Sequence, residues 1–73
     1  MYNKDMIYIR RYTIVDQYNE NDRFDANADL ISRKNLREDL ENGFEIYHTS
    51  VYSHSHFSAT IYVLRKEVHD NND

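Results

Sequence analysis

The chain has 73 residues, so it forms one domain at most, residues 1–73, with a core too small to be stable without further support. It contains no cysteine, which excludes disulfides, thiolate zinc sites, iron–sulfur clusters and cysteine nucleophiles. Nine Lys and Arg against thirteen Asp and Glu give a net charge of −4, which argues against a general nucleic-acid binder, because such proteins present basic surfaces. Self-association is the support that this composition leaves most open.

No targeting segment or membrane span is predicted. The longest apolar runs, residues 6–9 and 61–64, are far shorter than the roughly 20 residues that cross a bilayer. With no cysteine and no secretion signal, the expected location is the cytoplasm.

Residues 6–18 are dense in β-branched and aromatic side chains and contain neither glycine nor proline, which predicts a β-strand. A strand with one hydrated face should alternate apolar and polar residues, but here both alternating sets are largely apolar or aromatic. We therefore expect both faces of the strand to be covered, one of them by something other than the chain's own helix.

Residues 19–29 are polar and acidic, which predicts a surface loop. Such a loop can dock a basic partner or imitate the phosphates of DNA, since complementary potentials steer association. The alternative is an ordinary solvated loop. The candidate docking residues in and before the loop are Asp16, Glu20, Asp22, Asp25 and Asp29.

A helix over roughly residues 33–42 is predicted from its end signals. Ser32 has the side chain of a good N-cap, and Gly43 lies where a left-handed residue commonly ends a helix. Leu36 and Leu40, four residues apart, form the apolar stripe that would dock on the sheet.

The rest of the chain predicts a hairpin. Residues 44–52 and 57–68 are strand-like, and the polar link at 53–56 suits the turn between them. Residues 69–73 have the composition of a frayed tail.

The order strand, helix, strand, strand predicts an α+β fold of the β-α-β-β type. A crossover followed by a hairpin can place the last strand between the other two, which gives a three-stranded antiparallel sheet of order 2-3-1 with one helix on one face. The other face would stay open, with these residues on it: Tyr8, Arg10, Tyr12, Glu45, Tyr47, Thr49, Thr60, Tyr62 and Leu64.

Part of this pattern resembles a known family. It comprises Leu40 near the helix end, Gly-Phe-Glu-Ile at residues 43–46, and an aliphatic strand with a basic end at residues 61–66. These features resemble a family of short bacterial and phage domains of unknown function with a β-α-β-β layout. The resemblance implies that architecture and a phage or mobile-element type of protein, and it implies no activity.

The strongest candidate for a functional surface is the tyrosine–arginine face, defined as Tyr8, Arg10, Tyr12, Tyr47, Tyr62 and Leu64. Aromatic side chains beside arginine on an open sheet can stack nucleotide rings and hold phosphate. Tyr and Arg are also preferred at protein–protein hot spots, and the acidic net charge opposes a polyanion. We therefore expect a homodimer or higher homo-oligomer, with a host protein, a nucleotide or a nucleic acid as alternative partners.

Three histidines, His48, His54 and His56, lie in or beside the predicted hairpin. Imidazole is a common transition-metal ligand, but a structural zinc site normally has four placed ligands, and the nearest carboxylates in sequence are Glu45 and Glu67. Histidines at a polar turn are more often ordinary turn residues. We expect no metal and no other cofactor.

Catalysis has little support, because the sequence lacks a nucleophile motif, a glycine-rich phosphate loop and a zinc-protease motif. The prediction is a small acidic, non-enzymatic interaction protein, homo-oligomeric through its sheet. As a phage-type protein it would bind and inhibit or modulate a host macromolecule in the host cytoplasm. The alternative is a nucleotide or single-stranded nucleic-acid binder that uses the tyrosine–arginine face.

Overall fold

The computed structural model of the chain describes residues 2–18, 25–54 and 57–72, with side chains for residues 5–18, 25–54 and 57–69. In chain order the elements are β1 (Tyr2–Gln17), α1 (Ala26–Glu41), β2 (Glu45–His54) and β3 (Phe57–Asn72). The strands form one antiparallel sheet of order β1-β3-β2. The predicted α+β fold with its β-α-β-β order is therefore confirmed.

The central strand β3 is longer than its partner β2. Its pairing with β1 starts at Tyr2 opposite Asn72, whereas its pairing with β2 starts only at Glu45 opposite Arg65. Beyond that point β1 and β3 continue as a two-stranded extension, here called the ribbon. The ribbon consists of residues 2–8 and 66–72.

The ribbon corrects the prediction of a frayed tail at residues 69–73. Residues 69–72 are paired with β1, and only residue 73 lies outside the described part of the chain. The composition of the tail is polar, but backbone pairing in a strand does not require apolar side chains.

α1 begins earlier than the sequence predicts, at Ala26 rather than at residue 33. Asp25 is the N-cap in place of Ser32, because its carboxylate accepts a hydrogen bond from the backbone N–H of Ala28 at 3.0 Å. Ser32 lies inside the helix. Asp caps a helix as well as Ser does, so the sequence offered two starts, and the earlier one gives the longer helix.

The end of α1 lies where the sequence predicts it. Asn42 is the C-cap, and Gly43 follows with a φ of 96°, a left-handed conformation that residues with a Cβ rarely adopt. The backbone N–H of Phe44 then donates to the carbonyl oxygen of Asp39 at 3.0 Å. This turn leads the chain directly from the helix into β2.

α1 lies on the face of the sheet that carries the even-numbered residues of β1, here called the helix face. The hydroxyl of Tyr12 donates to the carboxylate of Asp39 at 2.5 Å, and Ile14 lines one groove with Leu36 of the helix. Four hydrophobic residues are buried among those described: Ile14, Phe44, Ala59 and Leu64.

α1 covers the sheet incompletely. No residue of the helix is buried, and Leu30 and Ile31 are exposed to solvent. The ribbon extends beyond the helix, so the molecule measures 59 × 21 × 15 Å. Its radius of gyration is 16.3 Å, against about 11 Å for a compact domain of this length. Within the described ranges no helix has the length and apolar character to cross a membrane.

Candidate interaction surface

No described element covers the face of the sheet opposite α1, which is here called the open face. The strand register defines it, because residues directly opposite each other in antiparallel strands point to the same side. It comprises Asp5, Ile7, Ile9, Arg11, Thr13 and Val15 of β1, Glu45, His48, Ser50, Tyr52 and His54 of β2, and Phe57, Ala59, Ile61, Val63, Arg65, Glu67 and His69 of β3.

The open face carries several exposed or half-buried aliphatic side chains. Ile7 and Ile9 on the edge strand β1 are 55% and 57% exposed, and Val63 and Ile61, the next open-face residues of β3 past the position opposite Ile9, are half-buried. By contrast, Leu64 on the helix face is completely buried. Contiguous apolar surface exposed to water costs about 25 cal/mol per Å², and a patch of it on a small protein marks an interaction site.

Charges of both signs lie among these aliphatic side chains, directly opposite them in the register. The arginines are Arg11 and Arg65, and the carboxylates are Glu45 and Glu67. The guanidinium of Arg65 lies 3.4 Å from the carboxylate of Glu67, and Glu45 lies opposite Arg65 in the register. The open face therefore mixes apolar side chains with charged ones of both signs.

On the ribbon the open face brings together Asp5, Glu67 and His69. Asp5 lies directly opposite His69, and Glu67 precedes His69 by two residues on the same face. The Nδ1 atom of His69 lies 2.8 Å from Oδ1 of Asp5, and its Nε2 atom lies 3.7 Å from Oε1 of Glu67. The hydrogen bond with Asp5 and the charges of both carboxylates raise the pKa of His69 above its ordinary value of 6.5. The imidazole thus lies between two carboxylates.

The structure corrects the position of the predicted tyrosine–arginine face. Its members on β1 and β3 lie on the helix face rather than the open face: Tyr8, Arg10, Tyr12, Tyr62 and Leu64. The prediction failed because both alternating sets of β1 are rich in apolar side chains, so the pattern alone does not tell which set the helix covers. The helix covers the more aromatic set and leaves the more aliphatic set open.

Two helix-face side chains that were expected to contact a ligand or partner, Tyr12 and Arg10, already have contacts within the chain. The hydrogen bond with Asp39, followed by burial and the charge of that carboxylate, raises the pKa of Tyr12 above its ordinary value of 10.0. The guanidinium of Arg10 lies over the ring of Phe44, 5.5 Å from its centroid, and the Lys66 ammonium lies 5.7 Å from the same centroid. These residues stabilise the fold.

A β-bulge in β2 explains the remaining differences from the predicted face. Ile46 lies opposite Leu64, and Tyr47 is the additional residue between Ile46 and the next residue of β2 that pairs with β3. The side chain of Tyr47 is exposed. The bulge brings Thr49 onto the helix face, whereas Glu45 lies on the open face. Neither glycine nor proline marks this position in the sequence.

The predicted acidic docking set divides into structural residues and residues outside the described part of the chain. Asp16 accepts a hydrogen bond from a threonine hydroxyl of β3 at 2.7 Å, Asp25 caps the helix, and Asp29 lies in its first turn. Glu20 and Asp22 fall outside the described residues. The three described residues therefore act in the fold, and none is a free docking group.

Asp29 connects α1 to the edge of β1. Its carboxylate accepts a hydrogen bond from the backbone N–H of Val15 at 3.1 Å and pairs with Arg33 at 2.7 Å. Burial by itself raises the pKa of Asp29, but the bonds from Arg33 and Val15 outweigh burial and lower the pKa below 3.8. Arg33 also donates to the carbonyl oxygen of Val15. The helix thereby covers this short part of the β1 edge.

Of the histidines singled out in the sequence, the two that the structure describes do not form a cluster with carboxylates. His48 and His54 lie on the open face, and His56 lies outside the described residues. Among the described side chains, the one group of metal-ligand type is the ribbon group of Asp5, Glu67 and His69. Sequence reasoning missed this group. Its only sequence signal was that Glu67 and His69 are two residues apart, a spacing that places both on one face of a strand. Asp5 reaches them only through the pairing of β1 with β3, which the sequence does not reveal.

Comparisons of the chain with protein-family models, with curated proteins and with solved structures found no match. The resemblance to short phage domains therefore stays a prediction.

Proposed function

We propose that the protein is a non-enzymatic interaction module that self-associates by packing the open face of its sheet against that of a second copy. The observation that carries this proposal is the set of aliphatic side chains on the open face, of which Ile7 and Ile9 are more than half exposed. Self-association through the sheet was predicted from the sequence, and the face now proposed is the opposite one.

The solvent-exposed area of the molecule supports a second copy of the chain as the partner that covers the open face. A folded monomer of this size exposes about 4,800 Å², whereas this chain exposes 5978 Å². The excess of about 1,200 Å² exceeds the roughly 800 Å² that each partner loses in a standard interface. Four buried hydrophobic residues are also a small core for an independent domain.

The charges of the open face suit a symmetric partner. A two-fold axis brings the same surface from both copies together, so a surface that pairs with itself needs both signs of charge. Arg11 and Arg65 of one copy can face Glu45 of the other. A face of one sign would repel its own copy.

The residues that line two surface depressions support a non-enzymatic protein. Two depressions, of about 390 and 280 Å³, lie beside the bulge of β2 and between α1 and the sheet. No described serine, threonine or histidine lines either of them, so their described linings do not offer the nucleophile–base pairs of hydrolases.

We further propose that the assembled protein binds and modulates a host macromolecule, as phage proteins do. This proposal is supported by the net charge of −4 and by side chains that self-association leaves exposed. Two of these are Tyr47 and Val51 of β2, which are 68% and 72% exposed. The alternative of a nucleotide or single-stranded nucleic-acid binder loses support, because the described contacts engage Tyr12 and Arg10 within the fold.

The proposal is tested with Ile9→Asp and a matched control, Val51→Asp. Both side chains are exposed in one subunit, but Ile9 lies on the open face and Val51 on the helix face. Burying a carboxylate in a dry interface costs several kcal/mol. We expect wild type and Val51→Asp to sediment as a dimer or larger oligomer, and Ile9→Asp to sediment as a monomer that keeps its strand signal in circular dichroism.

Two results would contradict the proposal. One is a monomeric wild type at high protein concentration. The other is an Ile9→Asp variant whose mass equals that of the wild type, since replacing an exposed aliphatic side chain of the open face by a carboxylate should weaken an interface on that face.

A further inference from the structure

The ribbon lacks the support that the rest of the sheet has. Residues 66–72 of β3 pair with β1 alone, because the pairing of β2 with β3 does not extend past Arg65. A two-stranded antiparallel pair by itself is marginally stable in water. Small domains without disulfides commonly gain their missing stability from a metal ion or from a partner. A bound ion on the ribbon would connect its two strands directly.

We propose that Asp5, Glu67 and His69 form a binding site for a divalent transition-metal ion of the zinc type. One ligand atom from each of the three side chains lies within 4.8 Å of the other two. Ligands held about 2.1 Å from a zinc ion are roughly 3–3.5 Å from each other. The three side chains are exposed, so small rotations of the side chains bring their ligand atoms to this spacing.

The donor atoms favour a transition metal over calcium or magnesium. The site offers one imidazole nitrogen and one oxygen from each of two carboxylates. Imidazole suits zinc, copper and nickel, whereas calcium and magnesium take oxygen ligands alone. Two carboxylates balance the charge of a divalent ion. Three protein ligands leave the remaining coordination positions to water.

The position of the three ligands gives the ion a structural effect. Asp5 and His69 are directly opposite in the register although they lie near the two ends of the chain. An ion that holds them together closes a loop containing almost the whole chain, and links closing long loops restrict the unfolded state most. The bound ion therefore stabilises the pairing of residues 2–8 with residues 66–72.

The test is a calorimetric titration of Zn²⁺ alone into the full chain after treatment with a chelator. We expect saturable binding of one ion per chain by the wild type and no comparable binding of Ca²⁺. Glu67→Gln and His69→Ala each remove one ligand and should weaken Zn²⁺ binding at least about tenfold. The matched control is His48→Ala, which removes an exposed imidazole from the same face, and it should bind Zn²⁺ like the wild type.

A second measurement keeps the test valid if His69→Ala loosens the ribbon. In the wild type, Zn²⁺ should slow amide hydrogen exchange in residues 66–72, and in Glu67→Gln, which keeps the Asp5–His69 pair, it should have little effect. The proposal is wrong if the wild type shows no saturable binding, if His69→Ala binds as tightly as the wild type, or if only His48→Ala loses binding. Ile9→Asp should bind Zn²⁺ normally, so failure of the site and failure of self-association are separable.

Discussion

Tyr12 connects β1 to α1 through a single hydroxyl group. That hydroxyl donates to the carboxylate of Asp39 at 2.5 Å, whereas the hydroxyl of Tyr8 on the same face contacts, among the described side chains, the sulfur of Met6 at 3.6 Å. The two tyrosines therefore form a matched pair. Loss of the Tyr12 hydroxyl removes a bond to a charged acceptor, and loss of the Tyr8 hydroxyl removes very little.

We expect Tyr12→Phe to lower the free energy of unfolding by about 1 kcal/mol at neutral pH, and Tyr8→Phe to change it by a few tenths at most. Because folding raises the pKa of Tyr12 above 10.0, the hydroxyl contributes fully below pH 10 and its contribution is lost as pH rises through the folded-state pKa. Urea unfolding at several alkaline pH values checks this. A deficit that stays constant above the folded-state pKa contradicts the assignment.

Among the elements, α1 shows how a cap determines the length of a helix. Asp25 and Ser32 both have side chains that can cap, and the structure uses Asp25. The aspartate starts a helix of 16 residues, which can include the Asp29–Arg33 pair that holds the β1 edge. Ser32 is left as an interior residue, where serine makes no cap and is a mediocre helix former.

We expect Asp25→Ala to lower the free energy of unfolding by about 1 kcal/mol, because the cap to Ala28 is lost. Ser32→Ala is the matched control and should be neutral or slightly stabilising, since alanine is the better residue inside a helix. Thermal unfolding of the two variants beside the wild type measures both effects. The opposite order of stability would place the start of the helix at Ser32.

The sequence predicted the elements whose signals are local. The strands followed from β-branched and aromatic runs, and the helix end from Gly43, whose φ of 96° confirms the left-handed prediction. The side of the sheet that the helix covers was not predictable in this way. It depends on which set of β1 residues packs against Phe44 and Leu64, and both sets are apolar enough to do so. The Tyr47 bulge likewise arises from pairing, because no residue marks it.

The candidate surfaces were harder to predict than the fold, for the same reason. An open sheet face was expected from the apolar residues on both sides of β1. The residues on it differ from those predicted, because the helix covers the side that was expected to be open. The ribbon group requires Asp5 to lie opposite His69, which only the register of two distant strands provides. A polar tail such as residues 69–72 gives no local sign that it is paired.

For the whole molecule, the elongated shape leaves apolar surface that a single subunit cannot cover. If a second copy covers it, folding and association are linked, and stability depends on protein concentration. We expect the melting temperature of the wild type to rise by several degrees over a hundredfold increase in concentration. Ile9→Asp should melt at one temperature throughout that range. A wild-type melting temperature independent of concentration contradicts the linkage.

The central position of β3 has a consequence for how the chain reaches its native state. β1 and β2 both pair with β3 and not with each other, and β3 is the last of the three strands to be synthesised. No strand of the sheet can therefore pair natively until residues 57–72 have been made, and β1 waits longest, with its isoleucines unprotected. Distant pairings of this kind slow folding and expose apolar strands to aggregation. The nascent chain is thus most vulnerable just before its final strand is complete.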